Sequence, residues 1–355
     1  MSRRAPLERL VSVLILAAVL ATVTTACGGE NPSARSPAVP DDQAAQRDNS
    51  LIVYAREREV ADPLFKLFEQ QTGIKVRARW GDPIDLAEQI ISDGADSPAD
   101  VFYGPLSDAL GALSAAGRLT KLSEQQLTRV PASYRSPDGT WVGTTGRAHV
   151  VFYNTDKLSA DDLPSSILGF TDPAWRGRIA WDPSSRSLQD AVTALRLQGG
   201  DDQARRWLEG IQLNTPTAFR GTRPIVDAVA AGEIADVGFG SHYYLYDAWA
   251  DGQARNVAAK FYPGDPAGLL NVAGVGIIKG TDNEAAASAF VDFMLSATAQ
   301  QNYAQGAFEI PLAEGVEPAE GLPAADQMTV PNLDAREFEK LDAARGLLVD
   351  VGIIG

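Results

Sequence analysis

The sequence predicts a mixed α/β protein organised as two domains. Short β-type runs alternate with helical patterns along most of the chain, and the second half repeats the class of the first. At 355 residues the chain is also longer than one small core usually organises.

The first residues read as an export signal over positions 1–26. Arg3, Arg4 and Arg9 give a positive start, and an apolar run follows over residues 10–20. That run is too short to cross a bilayer as a stable helix. It ends at Ala26-Cys27-Gly28-Gly29, and Val23-Thr24-Thr25-Ala26-Cys27 resembles a bacterial lipobox, with Thr24 where leucine is usual. Cys27 is the only cysteine, so no internal disulfide can form. It reads as a lipidation site, the alternative being a lone buried thiol. Residues 27–50 are rich in Pro, Ser, Gln, Asp and Ala and read as a flexible tether. Lipid on Cys27 would hold the protein at the outer face of the cytoplasmic membrane, each buried CH₂ contributing about 0.8 kcal/mol.

The folded part begins with a strand at Leu51-Ile52-Val53-Tyr54. Val60, Leu64, Leu67 and Phe68 then recur at helical spacing over 59–71, with Gly73 placed as a terminator. Residues 74–80 alternate apolar and polar, as a half-exposed strand does. A helix follows over 85–92, a strand over 99–103 and a helix over 106–116, closed by Gly117. In the second half, 178–181 is a strand and 187–197 a helix ending near Gly199-Gly200. Helices follow over 202–211 and 224–231, then a strand over 237–239 leading into His242-Tyr243-Tyr244-Leu245-Tyr246. Residues 270–278 read as a strand, 283–296 as an amphipathic helix and 334–349 as a last helix.

The net charge of −15 argues against nucleic-acid binding, which needs a basic footprint. With two histidines, His149 and His242, and a single cysteine, a conventional zinc site is not legible. No P-loop, G-x-S-x-G or H-E-x-x-H motif occurs, and no nucleophile–base pairing points to an enzyme.

Tyr243 and Tyr244 carry more information. Adjacent side chains on a continuing strand point to opposite faces, so both phenols reach one point only if the chain turns there. Phenolate is a hard anionic donor suited to Fe³⁺, and a bound cation lowers the pKa of its ligand. The residues alone leave an aromatic packing patch equally open. Ser185, Arg186 and Ser187 precede a helix, where serine serves as a cap or as part of an anion cradle. Gly221-Thr222-Arg223 carries the same two readings. Glu57 and Glu59 alternate with Arg56 and Arg58 directly after a strand, either as a solvated charge run or at the ligand edge of an open sheet.

At these residues the chain resembles the ferric-iron-binding subfamily of periplasmic substrate-binding proteins of ABC transporters. The resemblance runs over about 51–312. It is carried by Phe68-Glu69-Gln70-Gln71-Thr72-Gly73-Ile74-Lys75-Val76, Pro98-Ala99-Asp100-Val101-Phe102-Tyr103, Tyr153-Asn154-Thr155-Asp156-Lys157-Leu158 and Asp172-Pro173-Ala174-Trp175-Arg176-Gly177, and most specifically by His242-Tyr243-Tyr244 after Gly232-Glu233-Ile234. It implies a type II periplasmic-binding-protein fold, two α/β lobes closing over a cleft. Lobe 1 would comprise 51–147 plus 271–312, lobe 2 148–270 plus 313–355, with crossings near 147–153 and 271–276.

The resemblance implies Tyr243 and Tyr244 as iron ligands and Tyr153 as a third. Ser185, Arg186, Ser187, Thr222 and Ser241 would face a synergistic anion such as carbonate or phosphate, with Arg223 beside them. Arg147 would lie at the cleft, with Glu57, Arg58, Glu59 and His242 as further cleft residues. Three positions depart from the subfamily: Arg58 replaces a histidine ligand, Pro105 a glutamate and Ser241 an asparagine. The function implied is a monomeric lipoprotein that binds Fe³⁺ and delivers it to a membrane permease. The alternative is a protein of the same fold that binds an oxyanion or small organic solute without metal.

Overall fold

The computed structural model describes residues 50–56, 58–104, 107–265, 268, 270–328 and 341–355. The chain divides into units at 1–46 and 47–355, and the described residues lie in the second. The signal, Cys27 and all of the tether but Ser50 therefore fall outside the described residues, as do Glu57 and Pro105.

The first half runs β1 (Ser50–Ala55), α1 (Arg58–Thr72), β2 (Lys75–Trp80), α2 (Pro83–Asp93), β3 (Val101–Gly104), α3 (Ser107–Ala115) and α4 (Glu124–Leu127). A long strand, β4 (Trp141–Asn154), leads into β5 (Ile179–Trp181), α5 (Arg186–Leu213), β6 (Thr217–Ala218), α6 (Thr222–Ala231), β7 (Val237–Ser241), α7 (Tyr243–Ala250) and β8 (Val257–Lys260). The chain continues as β9 (Leu270–Ile277), α8 (Glu284–Met294), α9 (Ala297–Gly306), β10 (Ile310–Pro311) and α10 (Leu341–Asp350).

These strands form one mixed sheet in the order β2-β1-β3-β9-β4-β7-β5-β6, with β8 and β10 also paired to β4. β2, β1 and β3 run parallel, as crossover helices require. β4 changes partner midway. Trp141 to Ala148 pair with β9, whereas His149 to Tyr153 pair with β7. The strand thereby belongs to both halves of the molecule, and its residues alternate accordingly. Ala148, Val150 and Phe152 enter a core that includes Phe65, Phe68 and Phe290. Val151 and Tyr153, on the opposite face, pack in a second core built on Trp181, Trp207 and Phe239.

Most predicted elements are present within a few residues. Residues 186–213 form one helical stretch broken at Gly200 (φ 80°, ψ 167°), which accounts for the two helices predicted there. β4 was not anticipated as a strand. Apart from Arg147, His149 and Asn154 its residues are apolar, aromatic, Gly or Thr on both faces, so no alternation marks it. Residues 313–328 hydrogen-bond into both halves: Glu314 donates to Arg129, Tyr134 to Ala325, and Tyr246 to Gly321. The C-terminal helix α10 packs on α5, where Arg205 pairs with Asp350 at 3.4 Å. Among the described residues, no helix is long and apolar enough to cross a membrane.

Candidate functional site

The β7–α7 junction decides where the tyrosines go. β7 ends at Ser241, and His242 adopts helical backbone angles (φ −56°, ψ −40°), so Tyr243 is already the first residue of α7. The chain turns where the sequence required it to. The two phenol rings stack with centroids 4.3 Å apart and planes 30° from parallel, and both line one cavity of about 200 Å³.

Two further helices begin at the same cavity. α5 starts at Arg186 behind an N-cap on Ser185, whose hydroxyl accepts from Leu188 N–H and donates to Asp182 O. The Ser185 side chain is thus occupied as a cap, while Arg186 and Ser187 also line the cavity. α6 starts at Thr222 behind Gly221 (φ 94°), a backbone region that only glycine adopts without strain. Asp182 joins these two starts, accepting from Ser184 N–H and Oγ–H through Oδ1 and from Gly221 N–H through Oδ2 at 2.7 Å. Gly240 on β7 has no side chain, and a Cβ there would collide with Thr222, so α6 can lie directly on the strand. Three helix N-termini therefore meet the tyrosines, and each contributes partial positive charge.

Arg56, Arg147 and Arg186 add three guanidinium groups to the cavity wall. Arg147 Nε lies 3.8 Å from the buried Glu309 carboxylate, and its Nη2 donates to Asn271 Oδ1 at 3.3 Å. Asn271 in turn donates to Asp190 Oδ2 at 2.6 Å, and Asp190 Oδ1 lies 3.3 Å from Arg186 Nε. Burial raises the Asp190 carboxyl above its ordinary value, opposed by Arg186, Asn271 and Arg147. Among the described residues, no group of three or more His, Cys, Asp and Glu side chains could hold a metal. The cavity thus supplies phenols, hydroxyls and cations around a space suited to anionic oxygen.

Several sequence candidates lie elsewhere. Tyr153 sits opposite Val237, whereas His149 sits opposite Ser241, so Tyr153 is four residues further along β4, roughly 13 Å at strand rise. It packs half-buried on the second core rather than in the cavity. His242 is fully buried beneath the tyrosines. Its Nδ1 accepts from Ala148 N–H at 3.0 Å and its Nε2 donates to Phe308 O at 2.7 Å, and burial lowers its pKa to about 4. It supports the site from behind instead of facing the cleft. Arg223 turns outward to Asp227 and Asp251, both at 3.4 Å. Arg58 and Glu59 are exposed in the first turn of α1 and do not line the cavity.

Sequence reasoning missed His149, Asp190 and Asn271 as lining residues, and placed Arg56 only within the charge run that follows the first strand. His149 Nδ1 contacts Ser187 Oγ at 2.8 Å, while its Nε2 is buried without a partner, so no carboxylate orients this pair for catalysis. Burial lowers its pKa to about 4. For Asp190 a signal existed: it stands four residues after Arg186, on the same helix face.

A sheet shared by two lobes through one long strand, with a polar cavity at converging helix starts, defines a solute-binding protein. Residues 64–330 match the family of bacterial extracellular solute-binding proteins, and the chain belongs to that family. It is 30% identical to the Fe(3+)-binding periplasmic protein of Serratia marcescens over 317 residues, 88% of this chain and 93% of that one. It is 32% identical to iron uptake protein A2 of Synechocystis over 312 residues, 83% of this chain and 88% of that one. Among solved structures, iron-bound HitA from Pseudomonas aeruginosa matches with a TM-score of 0.75 and 31% identity, covering 85% of this chain and 99% of HitA. Trichodesmium FutA, solved with iron and citrate ligands, matches with a TM-score of 0.73 and 28% identity, covering 86% and 100%.

Proposed function

We propose that this protein binds ferric iron together with an oxyanion in the cavity and delivers it to the permease of an ABC importer. Tyr243 and Tyr244 are the iron ligands, as phenolates. The observation that carries this reading is their stacked placement at the start of α7, on the wall of a cavity that also holds three arginines. Fe³⁺ is hard and favours anionic oxygen, and its charge lowers the phenol pKa enough for deprotonated binding at neutral pH. The anion sits against Arg147, Arg186, Ser187, Thr222 and Ser241, and its oxygens complete the metal's coordination. Relatives that are named for iron binding and iron uptake support the same cargo.

We take the two lobes as 51–147 plus 271–312 and 148–270 plus 313–355, a division close to the change of partner between Ala148 and His149 on β4. Residues 1–26 are an export signal and Cys27 is the lipid attachment site on a tether of 27–50. The protein acts as a monomer at the outer face of the cytoplasmic membrane. Replacing Cys27 by serine releases it from membranes if this anchoring is right, and unchanged membrane retention overturns it.

The iron reading is tested by loading metal-free protein with Fe³⁺ in the presence of carbonate or phosphate. A visible tyrosinate-to-iron charge-transfer band is expected, and it disappears in the Tyr243→Phe, Tyr244→Phe double variant. No band with either anion sinks the reading. Anion binding by calorimetry without metal would then favour an oxyanion-binding protein, which the arginines and helix starts also support.

A further inference from the structure

Asp190 is out of place in a cavity built for anions. It is the one carboxylate lining that cavity among the described residues, and it is buried. Isolating a carboxylate from water is costly unless charge and hydrogen bonds compensate. Its position supplies both. One oxygen accepts from Asn271 at 2.6 Å, and the other lies 3.3 Å from Arg186 Nε. Through Asn271 it also reaches Arg147, because Asn271 accepts from that guanidinium at 3.3 Å. Asn271 and Arg147 are direct partners across β9 and β4. A single carboxylate thus joins two of the three arginines that face the ligand, and it comes from a different element than either strand.

We propose that Asp190 is the residue that sets which anion charge the cavity prefers. This rests on the anion-binding part of the reading above. Glu309 already balances Arg147 at 3.8 Å, yet the remaining guanidinium groups and three helix N-termini would still favour the most highly charged anion available. The Asp190 carboxylate lowers the positive potential at the point where the anion binds and penalises each additional negative charge. It also holds the Arg186 and Arg147 side chains in place, so anion shape and anion charge are selected by the same group.

The test is a ratio measured in two proteins. Metal-free wild type and Asp190→Asn are titrated calorimetrically with hydrogen carbonate, sulfate and citrate, whose charges rise in that order. The amide keeps the size of the side chain and an oxygen for Asn271 but removes the charge. The citrate-to-hydrogen-carbonate affinity ratio should rise on the order of tenfold or more in Asp190→Asn, as expected for one unit charge in a partly buried site. Asp190→Glu, which restores the charge, should return the ratio toward wild type, and Asp190→Ser replaces Asp190→Asn if the latter does not fold. An unchanged ratio in the neutral variant overturns the proposal, as does the same shift in Asp190→Glu, or binding of none of the three anions to wild type. The same series repeated with Fe³⁺ separates the two readings. A missing charge-transfer band would remove iron as the cargo, while the metal-free ratio still reports on Asp190.

Discussion

The Nε2–H of His242 donates to the carbonyl of Phe308 at 2.7 Å, and Phe308 itself holds a left-handed backbone conformation (φ 52°). The tautomer is fixed, because Nδ1 must accept from Ala148 N–H on the other side of the ring. One imidazole therefore ties the first turn of α7 to the point where β4 changes partner and to the segment that carries Glu309.

Substituting His242 by phenylalanine should separate stability from ligand placement poorly, because it harms both. It leaves Ala148 N–H and Phe308 O without partners in a buried place, where each unsatisfied group costs about 1–3 kcal/mol. Urea denaturation should show a loss of roughly 2–5 kcal/mol. Iron titration of the folded fraction should show weakened binding, since the tyrosines start one residue later.

Acid should destabilise the metal-free protein earlier than its carboxylates alone would. His149 and His242 are both buried neutral, with pKa values lowered from 6.5 to about 4. In the unfolded chain they take up protons near 6.5, so the unfolded state binds more protons between those values. The stability they contribute is present above about 6.5 and is lost as pH falls toward 4, on the order of a few kcal/mol for each. Asp190 acts in the opposite sense, its raised carboxyl favouring the folded state at lower pH. Melting temperatures measured from pH 7 to pH 4 should fall steeply, and the fall should be shallower in His149→Asn.

Asp182 should matter to anion affinity without touching the anion. It fastens the starts of α5 and α6 together through Ser184 and Gly221. Asp182→Ala releases both, and hydrogen bonds to a charged acceptor are worth about 1.5–3 kcal/mol. Calorimetry should show anion affinity reduced by roughly tenfold or more, whereas a Gly221→Ala variant should lose stability by about 1–3 kcal/mol through backbone strain alone.

Tyr153→Phe distinguishes position from sequence resemblance. Because Tyr153 lies at the far end of β7 from Ser241, its loss should leave the intensity and wavelength of the iron charge-transfer band unchanged. A shifted or weakened band would place Tyr153 in the coordination shell after all.

Much of the fold was legible because its helices are amphipathic and its turns carry glycine, as at Gly73 and Gly117. β4 escaped notice since a strand buried on both sides has no period to read. The tyrosine pair was legible through a local motif. His149, Asp190 and Asn271 were not, because they reach the cavity from β4, α5 and β9, and no short stretch of sequence records that meeting. His242, read from its motif as a cleft residue, turned out to be a brace, a distinction that only burial and its two backbone partners reveal.

Both phenols come from the first turn of a single helix, and the hydroxyls and Gly221 beside them come from α5, α6 and β7. Arg56, Arg147 and Asn271 line the cavity from the other half of the molecule, and neither phenol comes from there. If the phenols hold iron as proposed, both of its protein ligands stay on one lobe when the lobes separate. On that reading, opening alone would not free the metal, and release would need a chemical event such as exchange of the anion or protonation of a phenolate.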